Sequence, residues 1–298
     1  MKIFRRIISF LLSMLIAAGI LLLPLSAADR GNADAKTDTA MLPSEDTIAA
    51  MPKFDGRDYG IITPIKDQGL TNLCWAYSAV AASEASILRS GINPLATAET
   101  LNLNPTAAAY RVANRRSDPL GNTDGELIAG NFTDFTGNPG KIATLFSLWW
   151  GPVSGTSAAA DPFENSEYRL ENAVYIPEYK GEPALHIAAI KRAIAKYGAV
   201  TFQYNNASNQ YYYNPKNETG AESYPHACTI IGWDDSIPAD RFLPGGATQS
   251  GGWLIKNSYA SLPDGYPYFY ISYDNTCSQT YAFSYVPREK YDNNYYKG

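Results

Sequence analysis

The feature that most constrains this chain is the order of its hydrophobic periods: helical spacing comes first, and strand-like runs follow Tyr197. The stretch Cys74–Ser90 sets alanines and serines between larger apolar residues, has no Gly or Pro, and stops at Gly91-Ile92-Asn93-Pro94, which predicts a helix. Trp75, Ala79, Ala82 and Ser86 share one face of it, and small residues there predict close packing against another element. A second helix is expected over 101–114, interrupted early by Pro105, and a short one over 141–150. Pro183–Tyr197 places Leu185, Ala188, Ala189 and Ala193 on one face, and Gly198 stops it. Strands are expected over 199–204, 227–233, 253–256 and 266–273, and loops over 117–140, which is rich in Gly, Asn, Asp and Pro. Helices followed by strands predict an α+β fold of two lobes, helical first and β-rich second.

Before this pattern begins, the N-terminus reads as a targeting segment. Lys2, Arg5 and Arg6 precede an apolar run, and Leu25-Ser26-Ala27-Ala28 supplies small residues for cleavage, so residues 1–27 are expected to be a signal peptide. The alternative is an uncleaved anchor, because the run reaches the shortest spanning length of about 17 residues. That segment would be the chain's only membrane contact. Residues 28–50 read as a linker or short pro-segment, 51–290 as the folded domain, and 291–298 as a tail. A net charge of −5 with no basic block argues against nucleic acid as a partner. Many of the 22 tyrosines fall after Tyr197, where strands with one solvated face are expected; a carbohydrate-binding surface is a weaker reading of them.

Three cysteines occur, Cys74, Cys228 and Cys277, and an odd number in a secreted chain leaves at least one unpaired. Either Cys228 and Cys277 form a disulfide or both are buried thiols. Cys74 stands where a loop turns into a helix, and free N–H groups with the positive end of the helix dipole favour its thiolate. Of the two histidines, His186 lies in an amphipathic helix and reads as structural, whereas His226 opens an apolar strand. Asn257 ends another strand, where an amide can orient an imidazole. Cys74, His226 and Asn257 therefore fit the logic of nucleophile, base and orienting group. No spacing of His, Cys, Asp or Glu suggests a metal site, and no cofactor is expected.

Four motifs in order carry a family resemblance: Phe54-Asp55-Gly56-Arg57; Thr63-Pro64-Ile65-Lys66-Asp67-Gln68-Gly69 before Cys74; His226-Ala227-Cys228-Thr229-Ile230-Ile231-Gly232-Trp233; and Lys256-Asn257-Ser258. The chain resembles the papain-family cysteine peptidases, and among them the secreted bacterial members. The resemblance implies a two-lobed papain-like fold with a cleft between the lobes, and a secreted or extracellular thiol peptidase, with the bacterial cell envelope a possible location. It implies protein or peptide substrates and catalysis by Cys74, His226 and Asn257. It also implies that Gln68 supplies an oxyanion donor and that Gly137 lies along the substrate backbone. Family members usually carry a cysteine where Thr71 stands, bonded to a loop matched here by Asp134-Phe135-Thr136-Gly137; both ends are missing together. Leu73 replaces a small residue, Thr136 a glycine and Tyr259-Ala260 a Trp-Gly pair. The segment before Lys53 is shorter than the family's inhibitory pro-segment, which implies secretion in active form or a blocking extended peptide. Two other classes stay open: a papain-like peptide-binding protein without turnover, and acyl transfer or transglutamination on the same chemistry, where an Asp usually replaces the Asn.

Overall fold

The computed structural model describes residues 42–113, 116–117, 123–124, 131–160, 165–204, 212–213, 226–242, 247–261, 267–275 and 277–289. The α-helices among them are α1 (Glu45–Ala49), α2 (Cys74–Ser90), α3 (Pro105–Ala113), α4 (Pro139–Ser147) and α5 (Pro183–Tyr197). The strands are β1 (Lys53–Asp55), β2 (Arg116–Ser117), β3 (Thr123–Asp124), β4 (Tyr168–Ile176), β5 (Val200–Tyr204), β6 (Tyr212–Tyr213), β7 (His226–Asp234), β8 (Gly252–Lys256), β9 (Tyr268–Ser272) and β10 (Cys277–Pro287). Helix α2 ends as expected, with Gly91 left-handed at φ 64° and its N–H on the Leu88 carbonyl. Pro105 does not interrupt its helix; it starts it, and the Asn104 side chain caps the Ala107 N–H at 2.9 Å. In the same way Asn138 caps Lys141, so α4 begins at Pro139 and ends before Trp150.

All ladders are antiparallel, in the order β4-β10-β5-β7-β8-β9-β6, and β1 pairs with β7 beyond the end of β5. Strand β7 is central: it pairs with β5 from Tyr204↔His226 to Val200↔Ile230 and with β8 from Thr229↔Lys256 onward. Where β1 meets it, Gly232 is required, because a Cβ there would fall 2.1 Å from the Phe54 carbonyl oxygen. One apolar cluster lies between the sheet, α1 and α5, and includes Ile190, Ile194, Phe202, Ile230 and Trp253. A second joins α2, α3 and α4 through Trp75, Val80, Ile142 and Phe146, and reaches the sheet at Ala227 and Phe283. Helix α2 serves both, and its small face allows the approach: Ser86 donates to the Phe283 carbonyl at 2.6 Å. The architecture is the expected α+β arrangement of two lobes.

Strands β4 and β10 had no counterpart among the expected elements, although they pair over most of their length. The expected linker also changes. Residues 45–49 form α1, capped by Ser44, and Ile48 is wholly buried against the first cluster. The Pro43 carbonyl accepts from Arg89 near the far end of α2, about 22 Å from Cys74 at 1.5 Å per residue. Residues 42–50 therefore do not lie in the site as a blocking peptide. The signal segment, residues 28–41 and the tail lie outside the described residues. No helix among the described residues is long and apolar enough to cross a membrane.

The Cys228–Cys277 bridge does not form, and all three thiols are free. The register gives the reason. Cys228 pairs with Phe202 and Cys277 with Tyr204, on opposite sides of β5. Two strand spacings, about 9.5 Å, separate their backbones, beyond the roughly 7 Å that a disulfide spans. Thermal melting should accordingly give one Tm with or without dithiothreitol. A reductant-induced drop of more than about 4 °C, the scale of 1–2 kcal/mol for a domain of this size, would show a hidden bridge.

Candidate active site

Cys74 is the first residue of α2 and half-buried. Burial pushes its thiol above the ordinary value, and the N–H groups of Ala227, Trp75 and Cys74 itself, which pull it down, offset only part of this. The N–H groups at the helix start thus favour the thiolate, as the sequence leads one to expect, and burial opposes them. Ionisation needs a proton acceptor beside the sulfur, since a paired cation removes the cost of a buried charge.

Strand β7 meets Cys74 through the backbone N–H of Ala227, the residue after His226. Pairing of β7 with β8 sets the first residue of one strand beside the end of the other, and His226 Nε2 lies 2.9 Å from Asn257 Oδ1. The Ser258 N–H donates to the same oxygen at 2.8 Å, which fixes the amide with its oxygen towards the ring. An oxygen can only accept, so Nε2 carries the proton and Nδ1 is the basic nitrogen. Asn257 is buried, its own N–H bound to the Pro267 carbonyl at 3.0 Å. Tyr259 stacks on the imidazole at 5.7 Å and 23°, and Tyr204 meets it edge-on at 5.9 Å. Tyr259 therefore covers the His–Asn pair from the position where the resemblance expects Trp. The buried Cys228 thiol also reaches Asn257 Oδ1, at 3.7 Å.

Gln68 is buried and held from both ends of its amide: Oε1 accepts from Ser258 Oγ at 2.5 Å, and Nε2 donates to the Thr71 carbonyl at 2.7 Å. Its N–H bonds the Ser258 carbonyl at 2.9 Å, so the loop before Cys74 is tied to the residue after Asn257. Gly137 rides on Trp75, the neighbour of Cys74; a Cβ there would meet the indole at 2.6 Å. Leu73 is 1% exposed within the second apolar cluster, so its bulk faces the core. His186 stands apart on the first turn of α5, its Nδ1 3.2 Å from the Pro177 carbonyl oxygen.

Sequence reasoning missed the charged cluster behind this site. Glu84, midway along α2, is wholly buried, and its carboxylate accepts from Lys66 Nζ at 2.6 Å, Thr63 Oγ1 at 2.6 Å and the Leu103 N–H at 2.7 Å. Lys256, the residue before Asn257, donates to Thr63 Oγ1 at 2.9 Å. The available signal was a single acid on an otherwise small and apolar helix.

The family model described as papain family cysteine protease matches residues 50–101, which include Gln68 and Cys74. The cysteine protease and lectin-like domains of Cwp84, a surface layer associated protein of Clostridium difficile, share the fold with TM-score 0.61 and 22% identity, over 80% of this chain and 53% of that one. Over that matched segment, residues 50–101, the chain is similar to the papain family. Similar curated proteins include the probable cysteine protease RD19C of Arabidopsis thaliana, 23% identical over 79% of this chain and 60% of its own length. Cathepsin K of Gallus gallus is 25% identical over 70% of this chain and 54% of its own. The chain thus spans little more than half the length of these curated relatives. Cys74 and Gln68 fall inside the matched segment, while His226 and Asn257 lie beyond it.

Proposed function

We propose that the protein is a secreted cysteine peptidase that hydrolyses peptide bonds through a covalent acyl-enzyme on Cys74. The 2.9 Å contact of His226 Nε2 with Asn257 Oδ1 carries the reading, because it dedicates Nδ1 to exchanging a proton with the thiol. Cys74 transfers its proton to Nδ1 and the resulting thiolate adds to the scissile carbonyl, forming a C–S bond. The developing oxyanion is met by the Cys74 N–H and by Gln68 Nε2–H, which stays fixed because Oε1 is anchored on Ser258. Collapse breaks the C–N bond as imidazolium returns its proton to the leaving amine. Water, deprotonated by Nδ1, then attacks the thioester, and the carboxylic acid leaves with the thiol restored. Secretion is supported by the charged, apolar and small-residue segments of residues 1–27, and by the likeness to a surface layer associated protein.

The test is labelling of the purified protein at neutral pH with a peptidyl epoxide, read by intact mass and peptide mapping. One fast adduct on Cys74, lost in His226→Ala, is expected. A folded protein that takes no adduct would instead be a papain-like binding protein.

A further inference from the structure

Two segments some sixty residues apart meet beside the nucleophile. Three successive carbonyls of the turn at Phe132–Asp134 and its exit accept from residues flanking Cys74: Thr133 O from the Asn72 N–H at 2.8 Å, Asp134 O from Asn72 Nδ2 at 3.0 Å, and Phe135 O from Trp75 Nε1 at 3.2 Å. Two of these donors belong to one residue, and only one of the three is an Asn side chain. Beyond them, Gly137 closes on the Trp75 indole, so the segment forms a wall against the start of α2. No disulfide links the two segments.

We propose that Asn72 is a positioning residue that clamps the 133–137 wall against the nucleophile helix, so that the wall receives the substrate backbone beside Cys74. This rests on the peptidase reading above. The clamp is a hydrogen bond at an exposed side chain, and it takes no part in the Cys74–His226 proton exchange. Losing it therefore weakens substrate binding and leaves the thiol's chemistry alone, a loss of uniform binding that raises KM at constant kcat.

The experiment uses the full protein with Asn72→Ala and Asn72→Asp. The second keeps size and hydration, and its carboxylate removes only the donor. A net hydrogen bond corresponds to about 3–10-fold in binding, so both variants should raise KM for a peptide substrate by about that factor, with kcat within twofold. Alkylation of Cys74 by iodoacetamide, which needs no wall, should keep its rate, while labelling by the peptidyl epoxide slows in proportion to KM. Unchanged KM and epoxide rate in either variant, or a parallel fall in kcat and alkylation, overturns the clamp. A wild-type protein that neither hydrolyses peptide nor takes the epoxide instead defeats the peptidase reading.

Discussion

Replacing Cys74 by Ala should abolish peptide hydrolysis, with a loss on the order of 10⁶ in kcat, the scale for removing a nucleophile from an acyl-transfer site. The fold should survive, because the side chain shrinks by one sulfur at a half-buried position whose backbone is fixed by α2. Asn257→Ala separates positioning from chemistry. His226 would keep its place at the start of β7 and its contacts with Tyr259 and Tyr204, and lose only the acceptor that fixes its tautomer. A graded loss of about 10²-fold is expected, within the range for general acid–base groups. Steady-state kinetics on one fluorogenic peptide decide both. Residual turnover by Cys74→Ala above background would remove Cys74 from the mechanism, and a wild-type rate in Asn257→Ala would remove its orienting role.

What could be read beforehand follows the range of each signal. Helix α2 was legible because its signals are local: an unbroken small and apolar stretch and a Gly stop. The pairing of His226 with Asn257 was legible from motif order, although only the β7–β8 ladder brings them to 2.9 Å. Strand β10 was illegible because its alternation breaks twice, at Ser278/Tyr281 against β5 and at Ser284/Tyr285 against β4. Strand β4 lies at the sheet edge with Glu171 and Asn172 exposed, so it shows no continuous apolar side. Pro105 was read as a breaker, yet at the first position of a helix its missing N–H costs nothing. The Glu84 cluster draws on three distant segments, and no local pattern reports such a meeting.

That cluster yields the largest expected effect on stability. Glu84→Ala would leave Lys66, Lys256 and the Leu103 N–H around an apolar gap, and breaking a buried pair from one side costs about 3–5 kcal/mol. Lys256 sets the pH dependence. Burial holds its pKa down to about 7, with Glu84 pulling upward and Lys66 downward. Between pH 7 and its ordinary 10.5, the unfolded chain binds a proton that the folded chain has released. The stability tied to this residue is therefore complete above 10.5 and is lost as pH falls through 7. Without Glu84 the only upward pull on Lys256 disappears and its pKa falls further. The variant's deficit should thus be larger at pH 6, where the native carboxylate stabilises a protonated Lys256, than at pH 9. Urea unfolding at the two pH values measures it; a loss below about 1 kcal/mol, or one equal at both, would refute the assignment. Because Thr63 and Lys66 begin the loop that holds Gln68, and Lys256 precedes Asn257, the same cluster links the charge buried in α2 to the segments that carry Gln68 and Asn257.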